Sequence, residues 1–270
     1  MDSRIPMPVQ SILREYISLF HERIPNTLEG FYLHGSIALN AYIHDFSDID
    51  FVAIIKRHLT EAEMRILSKI HQKIARKYKK AGMDGCYLLQ EDMGKKQTET
   101  KKRLYFDAGK LEWGDHVTNP ITWWILKNKG INIIGPKITA FHFDVDDSIL
   151  VDYVIDNMNT YWLNRLNRNV KFKRMALLLP NKMVDWEIQW SITGMLRQLY
   201  TLREHEITSK VDAGEYSLNH LPARWHNIIK EAISIRKGLN RRYCDSKKQR
   251  INDTIECMKY ILDYFDTSHG

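Results

Sequence analysis

Cysteine is scarce in this chain: Cys86, Cys244 and Cys257 are the only three among 270 residues. So few, so irregularly spaced, they exclude a disulfide framework and a zinc-binding pair of cysteine hairpins, and they fit a reducing, intracellular setting. Long apolar runs are also missing. The opening Met1-Asp2-Ser3-Arg4-Ile5-Pro6 carries none, so neither a secretory signal nor a membrane span is expected there. The expected location is the cytoplasm, with no membrane partner. There is no internal repeat and no low-complexity segment. No aromatic-interleaved RNA-binding motif or zinc module is visible either, which argues against nucleic acid as the main partner.

What is present suffices for a real core. Hydrophobic residues make up 44% of the chain, and its length suits one large domain or two modest ones. The formal charge of +7 favours an anionic partner, which by sign alone can be nucleotide phosphate, nucleic acid or acidic lipid. The basic residues fall in runs at 56–57, 76–80, 95–96, 101–103, 165–174 and 236–250, which read most simply as solvated helix faces.

Periodicity sets out the organisation. Ile12, Leu13, Tyr16, Leu19 and Phe20 recur at helical spacing, predicting an amphipathic helix over 9–24 that Pro25 helps to end. A short apolar segment at 31–34 runs into Gly35-Ser36, and Ile49–Ile55 is a branched apolar run suited to a buried strand. Residues 60–80 predict a long helix with a basic outer face, and 83–90 a third strand. Strand, helix, strand, helix, strand within about 60 residues predicts an α/β unit on a small mixed sheet. The lysine-rich stretch 91–110 reads as a connection, 121–129 as a helix and Ile131–Ile134 as a further short strand. From Asp146 onward the pattern is helical, with helices expected over 147–167, 185–203, 224–237 and 247–265. The fold class expected is α+β: an N-terminal domain over 1–145 and a C-terminal helical bundle domain over 146–270.

The chemistry concentrates in Leu33-His34-Gly35-Ser36, followed eleven residues later by Asp48-Ile49-Asp50-Phe51. Residues two apart on a strand point to one face, so Asp48 and Asp50 would stand side by side. Two adjacent carboxylates repel each other unless a cation neutralises them, and hard oxygen ligands suit Mg²⁺ shared with substrate phosphates. Gly35 and Ser36, at the end of the preceding strand, offer exposed amides and a hydroxyl to a phosphate. A third carboxylate, Asp84, opens the predicted strand 83–90, where it can act as the base that takes a proton from an attacking hydroxyl. His34 reads as packing beside the strand end, Cys86 as a core residue, and Trp123-Trp124 as core of a helix.

The run Tyr32-Leu-His-Gly-Ser-Ile-Ala-Leu-Asn, followed by Phe46-Ser-Asp-Ile-Asp-Phe, resembles the active-site signature of the nucleotidyltransferase superfamily. Within it the chain looks most like the aminoglycoside (3'')(9)-adenylyltransferases, whose helical-domain motif is similar to Arg197-Gln-Leu-Tyr-Thr-Leu, Glu206-Ile-Thr-Ser-Lys210 and Ala213-Gly-Glu-Tyr. The resemblance implies transfer of AMP from ATP to a hydroxyl of streptomycin and/or spectinomycin, with release of pyrophosphate and two Mg²⁺ ions. It implies Asp48 and Asp50 as metal ligands, Asp84 as base where the family usually has a glutamate, and Gly35, Ser36, Arg197 and Lys210 at the nucleotide. Glu187 falls where the family places an acidic residue that contacts the cationic drug, with Asp185 as the alternative. Trp113, Trp123 and Trp124 are out of register with the family's acceptor-stacking tryptophan. Alternatives are adenylyl transfer to another small-molecule or protein hydroxyl, or a nucleic-acid-binding protein. A cluster of Glu112, Asp115, Asp185 and Glu187 would supply an acidic patch for a polycation.

Overall fold

The computed structural model describes residues 2–79, 82–95, 102–114, 118–239 and 241–269. Its contacts divide the chain into two units, Met1–Val145 and Asp146–Gly270.

The first unit opens with helix α1 (Met7–Arg23), then strand β1 (Leu28–Leu33), the single-turn helix α2 (Gly35–Ala38), β2 (Ile49–Ile55), α3 (Glu61–Lys77) and β3 (Met83–Leu88). A hairpin, β4 (Arg103–Asp107) and β5 (Lys110–Gly114), precedes α4 (Pro120–Lys129) and β6 (Ile131–Ile134). The six strands lie in the order β5-β4-β3-β2-β1-β6. Only β2 and β3 run parallel; the other pairs are antiparallel. The fold class is therefore the mixed α/β arrangement expected, on a larger sheet.

The apolar strands are buried on both faces, which is why their sequences read as continuous runs rather than alternation. Phe31, Leu33, Phe51, Ala53 and Tyr87 join the core that α1 and α3 cover, while the intervening Tyr32, Val52, Ile54 and Cys86 are buried on the opposite side. Phe31 and Phe51 stack with ring centroids 5.0 Å apart; each is fully buried, contributing roughly 2–3 kcal/mol to stability. Helix α3 starts on a capping box in which Thr60 and Glu63 satisfy each other's backbone amides. It buries Leu67, Ile70, His71 and Ile74. His71 Nε2 lies 2.6 Å from Tyr87 Oη, and burial pushes the imidazole pKa down to about 3, so the ring is neutral.

The stretch 91–110 is more than a connection. Leu104 and Phe106 are buried while Asp107 is exposed, and Ala108 and Gly109 turn at φ of 47° and 84°. Two successive residues at positive φ match the twist of a tight hairpin. The lysine-rich composition upstream obscures this alternation in the sequence.

The second unit is helical throughout its described residues: α5 (Asp147–Asn157), a π-helical segment (Met158–Trp162), α6 (Leu163–Lys171), α7 (Lys173–Ala176), α8 (Asn181–Glu204), α9 (Lys210–His220), α10 (His226–Arg236) and α11 (Lys247–His269). The helix expected over 147–167 is thus interrupted. The wider π turn brings Trp162 against α8, where a Cβ on Gly194 would stand 2.2 Å from the indole. Only glycine leaves room for that ring. Val154, Ile192, Leu199, Ile229 and Met258 are among the residues of this unit's own core.

Candidate active site

In the first unit β1 delivers the chain to His34, and Gly35 turns it at φ +57° into α2. A Cβ on Gly35 would lie 1.9 Å from Asp50 Oδ2, so this carboxylate sits directly against the glycine backbone. Any side chain here would displace it and strain the turn. The His34 amide donates to the Asp50 carbonyl at 3.1 Å, which locks the two motif segments together. Ser36 Oγ and His34 Nε2 are buried without a hydrogen-bond partner among the described residues. Burial pushes the His34 pKa down to about 4, so its ring is neutral.

Asp48 directly precedes β2, and Ile49 donates to the carbonyl of Gly82 at 2.7 Å. A Cβ on Gly82 would stand 2.2 Å from Asp48 Oδ1, so a second glycine leaves space for a second carboxylate. Asp50 and Asp84 are partners in the parallel register of β2 and β3, which points both side chains to the same face of the sheet. Burial, followed by the negative charges of Asp107 and Asp48, raises the Asp84 pKa to about 7. Asp48, Asp84 and Asp107 line one cavity of about 400 Å³ together with His71, Gly82 and Phe106.

Asp107 was not anticipated. It ends β4, and the alternation Leu104, Phe106 ahead of Ala108-Gly109 is the signal that identifies its strand. Among the described residues no group of three or more His, Cys, Asp or Glu side chains is placed to hold a metal ion. The donor set still fits Mg²⁺, which binds proteins through one or two carboxylates and completes its shell with phosphate oxygens and water. Two glycines that make room for carboxylates and a buried hydroxyl without a partner are the local features of that fit.

In the second unit Glu187, Trp190 and Arg197 share one face of α8, because steps of three and seven residues return to the same side of a helix. Glu187 and Arg197 lie about 15 Å apart along the axis. Lys210 begins α9 behind the Ser209 cap, and its Nζ lies 4.3 Å from the centre of the Trp190 ring. Trp190 stacks on Trp186 at 5.5 Å and donates to Tyr161 Oη at 2.9 Å.

Both candidate acceptor carboxylates already have cationic partners. Glu187 receives Arg165 Nε and Nη2 at 2.9 and 2.7 Å, Asn169 at 2.8 Å and Ser191 at 2.6 Å. Burial alone would raise its pKa; the hydrogen bonds from Arg165, Ser191 and Asn169 outweigh that and lower it. Asp185 is gripped by Arg242 at 2.7 and 2.8 Å and by Arg250. Arg250 also pairs with the fully buried Glu231, which caps the amides of Tyr243 and Cys244 at 3.0 and 3.2 Å. Asp185 is thereby part of a network that ties α8, α10 and α11 together.

Glu112 is on β5 and accepts from Tyr105 at 3.3 Å, whereas Asp115 lies outside the described residues. Trp123 and Trp124 are buried in α4, as their helical context implied, and Trp113 is exposed beside His58.

The first unit thus presents a parallel strand pair carrying carboxylates, preceded by a strand, a Gly-Ser turn and a short helix. Residues 180–260 match the family model for the aminoglycoside adenylyltransferase C-terminal domain. Among solved structures, the chain is similar to a spectinomycin adenyltransferase from Enterococcus faecialis, solved with ATP and spectinomycin: the TM-score is 0.67 at 16% identity, covering 94% of this chain and 99% of that one. A search of curated proteins by sequence gives no match. The family match is thus confined to residues 180–260 of the second unit, and the chain as a whole shares its fold with that solved structure.

Proposed function

We propose that the protein transfers AMP from MgATP to a hydroxyl of an aminoglycoside-type antibiotic, with spectinomycin as the acceptor and pyrophosphate as the leaving group. The observation that carries this reading is the pairing of Asp50 with Asp84 across parallel strands, with Asp48 two residues before Asp50. Asp48 and Asp50 hold the magnesium, and two such ions, when bound, would neutralise the triphosphate and stabilise the entering and leaving oxygens. Gly35 keeps the turn close enough for backbone amides to meet phosphate, and the Ser36 hydroxyl supplies a further donor.

Asp84 takes the proton from the acceptor hydroxyl. The freed oxygen attacks the α-phosphorus, a new P–O bond forms, and the bond to pyrophosphate breaks with its electron pair leaving on the pyrophosphate. In the metal-free protein burial holds the Asp84 pKa up near 7, and magnesium bound at Asp48 would favour the carboxylate form that accepts the proton. Aspartate reaches one methylene less far than the glutamate usual in the family, so the acceptor must approach β3 correspondingly closely. Arg197 and Lys210 bind the phosphates. Their cationic heads on α8 and α9 suit an anion rather than an antibiotic amine.

The acceptor contact falls to Glu187, with Asp185 serving the ion network. Spectinomycin is preferred over streptomycin because these two carboxylates are already compensated by four guanidinium groups, Arg165, Arg168, Arg242 and Arg250. Little free negative charge remains there for a doubly guanidinylated polycation. The solved spectinomycin adenyltransferase supports the same choice. ATP as co-substrate supports a cytoplasmic setting. The test is pyrophosphate release from purified protein with MgATP and spectinomycin, streptomycin or no acceptor. Release with spectinomycin well above the other two is expected; release independent of any drug would discard the antibiotic as substrate.

A further inference from the structure

Fourteen large hydrophobic side chains are exposed among the described residues, and eight of them fall between Val170 and Trp186. Phe172, Met175, Leu177, Leu178, Met183 and Trp186 lead this group, with Leu178 87% exposed. Scattered surface leucines mean nothing, but a contiguous patch marks an interaction surface. The patch surrounds a groove of about 830 Å³ floored by Ala176, Ile188, Ile251 and Ile255.

Its charge is mainly positive, the one acid in its lining being Glu187, which Arg165 pairs. Residues 157–184 contain Arg165, Arg168, Lys171, Lys173, Arg174 and Lys182, and no Asp or Glu at all. Arg165 is buried against Glu187, and the other five cations rim the apolar residues. The tip is held in shape rather than loose: Lys247 Nζ donates to the carbonyls of Leu177, at 2.8 Å, and Leu179. Two carbonyls of the turn are thus satisfied by Lys247, while the Leu178 side chain projects into solvent and Leu179 lines the groove.

We propose that this face docks on the surface of an anionic lipid bilayer, with Leu177, Leu178, Met175 and Phe172 entering the headgroup boundary and Lys171, Lys173, Arg174 and Lys182 meeting lipid phosphates. Aliphatic side chains at the tip with a basic collar are the composition that gains from both the apolar boundary and the negative surface potential. RNA would find only Phe172 and Trp186 as aromatic platforms, whereas the other six exposed side chains, Val170, Met175, Leu177, Leu178, Leu179 and Met183, are aliphatic. No described helix is long and apolar enough to cross a membrane, so the contact is peripheral. It takes up the acidic lipid option that the net charge left open, against the expectation of no membrane partner, and since Glu187 also lines the groove it is the leucine tip rather than the groove floor that meets the bilayer.

The test is flotation of the full-length protein with vesicles of phosphatidylcholine alone or mixed with phosphatidylglycerol. Binding to the anionic vesicles, weak on phosphatidylcholine and lost at high salt, is expected. Leu178→Asp should weaken it about tenfold by removing buried apolar area and adding a repelled charge. Lys173→Glu with Arg174→Glu should also weaken it by more than about tenfold. Leu178 and Arg174 are exposed and Lys173 half-buried, and unchanged melting curves would establish that the variants fold. The proposal is overturned by absent flotation with anionic vesicles, or by flotation that neither variant alters. Light scattering that reveals a dimer dissociated by Leu178→Asp would equally overturn it, assigning the patch to a second copy of the chain.

Discussion

The two units treat buried negative charge in opposite ways. In the first, Asp84 has carboxylate neighbours, and its pKa rises to about 7 through burial and the charges of Asp107 and Asp48. In the second, Glu187 is similarly buried and Asp185 less so, yet arginines grip both and their pKa values fall. An acid left among acids destabilises the empty protein and is relieved by an arriving cation or proton. An acid matched by guanidinium groups contributes to the fold and meets a ligand only as part of that compensated network. The contrast separates the proposed metal site from carboxylates already matched by cations within their own unit.

The comparison is tested most severely at Asp50. Asp50→Asn should reduce magnesium-dependent turnover by about a thousandfold or more while leaving the melting temperature unchanged or higher. A variant with normal turnover would remove the metal role. In the second unit the expectation is reversed: Arg250→Ala leaves Glu231 buried without its main partner and should cost about 3–5 kcal/mol in denaturant unfolding. A loss below about 1 kcal/mol would mean that the network does not hold the helices.

Asp84→Asn should do both things at once, cutting turnover about a hundredfold and stabilising the metal-free protein by about 1–2 kcal/mol above pH 7. The sign follows from a folded pKa of about 7 above the ordinary 3.8. The wild-type protein has its full stability below the unfolded pKa and loses it as pH rises towards 7, so the variant's advantage appears over that window and is constant beyond it. Melting curves at a series of pH values would show this; an advantage that grew on acidification would contradict it. The smallest effect is expected at the exposed Asp107. Asp107→Asn removes one repelling charge, so the acid limb of the pH–rate profile should move to lower pH by less than about one unit, with kcat on the plateau nearly unchanged.

The local features of this protein were legible because their causes are local. A branched apolar run marks Ile49–Ile55 as a buried strand, and Asp48 and Asp50 stand at its start whatever the rest of the chain does. The helical texture after Asp146 follows from apolar spacing alone. Features that depend on distant residues were not legible. The strand containing Asp107 was hidden behind a lysine-rich stretch and exists because Leu104 and Phe106 find a place beside β3. The π turn at Met158–Trp162 answers to Gly194, which is 32 residues from Trp162 in sequence.

Sequence by itself determined which residue types could do phosphoryl chemistry and where along the chain they cluster, since valence, charge and side-chain length belong to the residue. Only tertiary structure decided which charges stay compensated. Glu187 meets Arg165 across 22 positions and Asp185 meets Arg250 across 65, while Asp84 meets Asp107 rather than a cation. Electrostatic energy depends on distance in space and on exclusion of water, and neither is a property of the sequence interval between two residues.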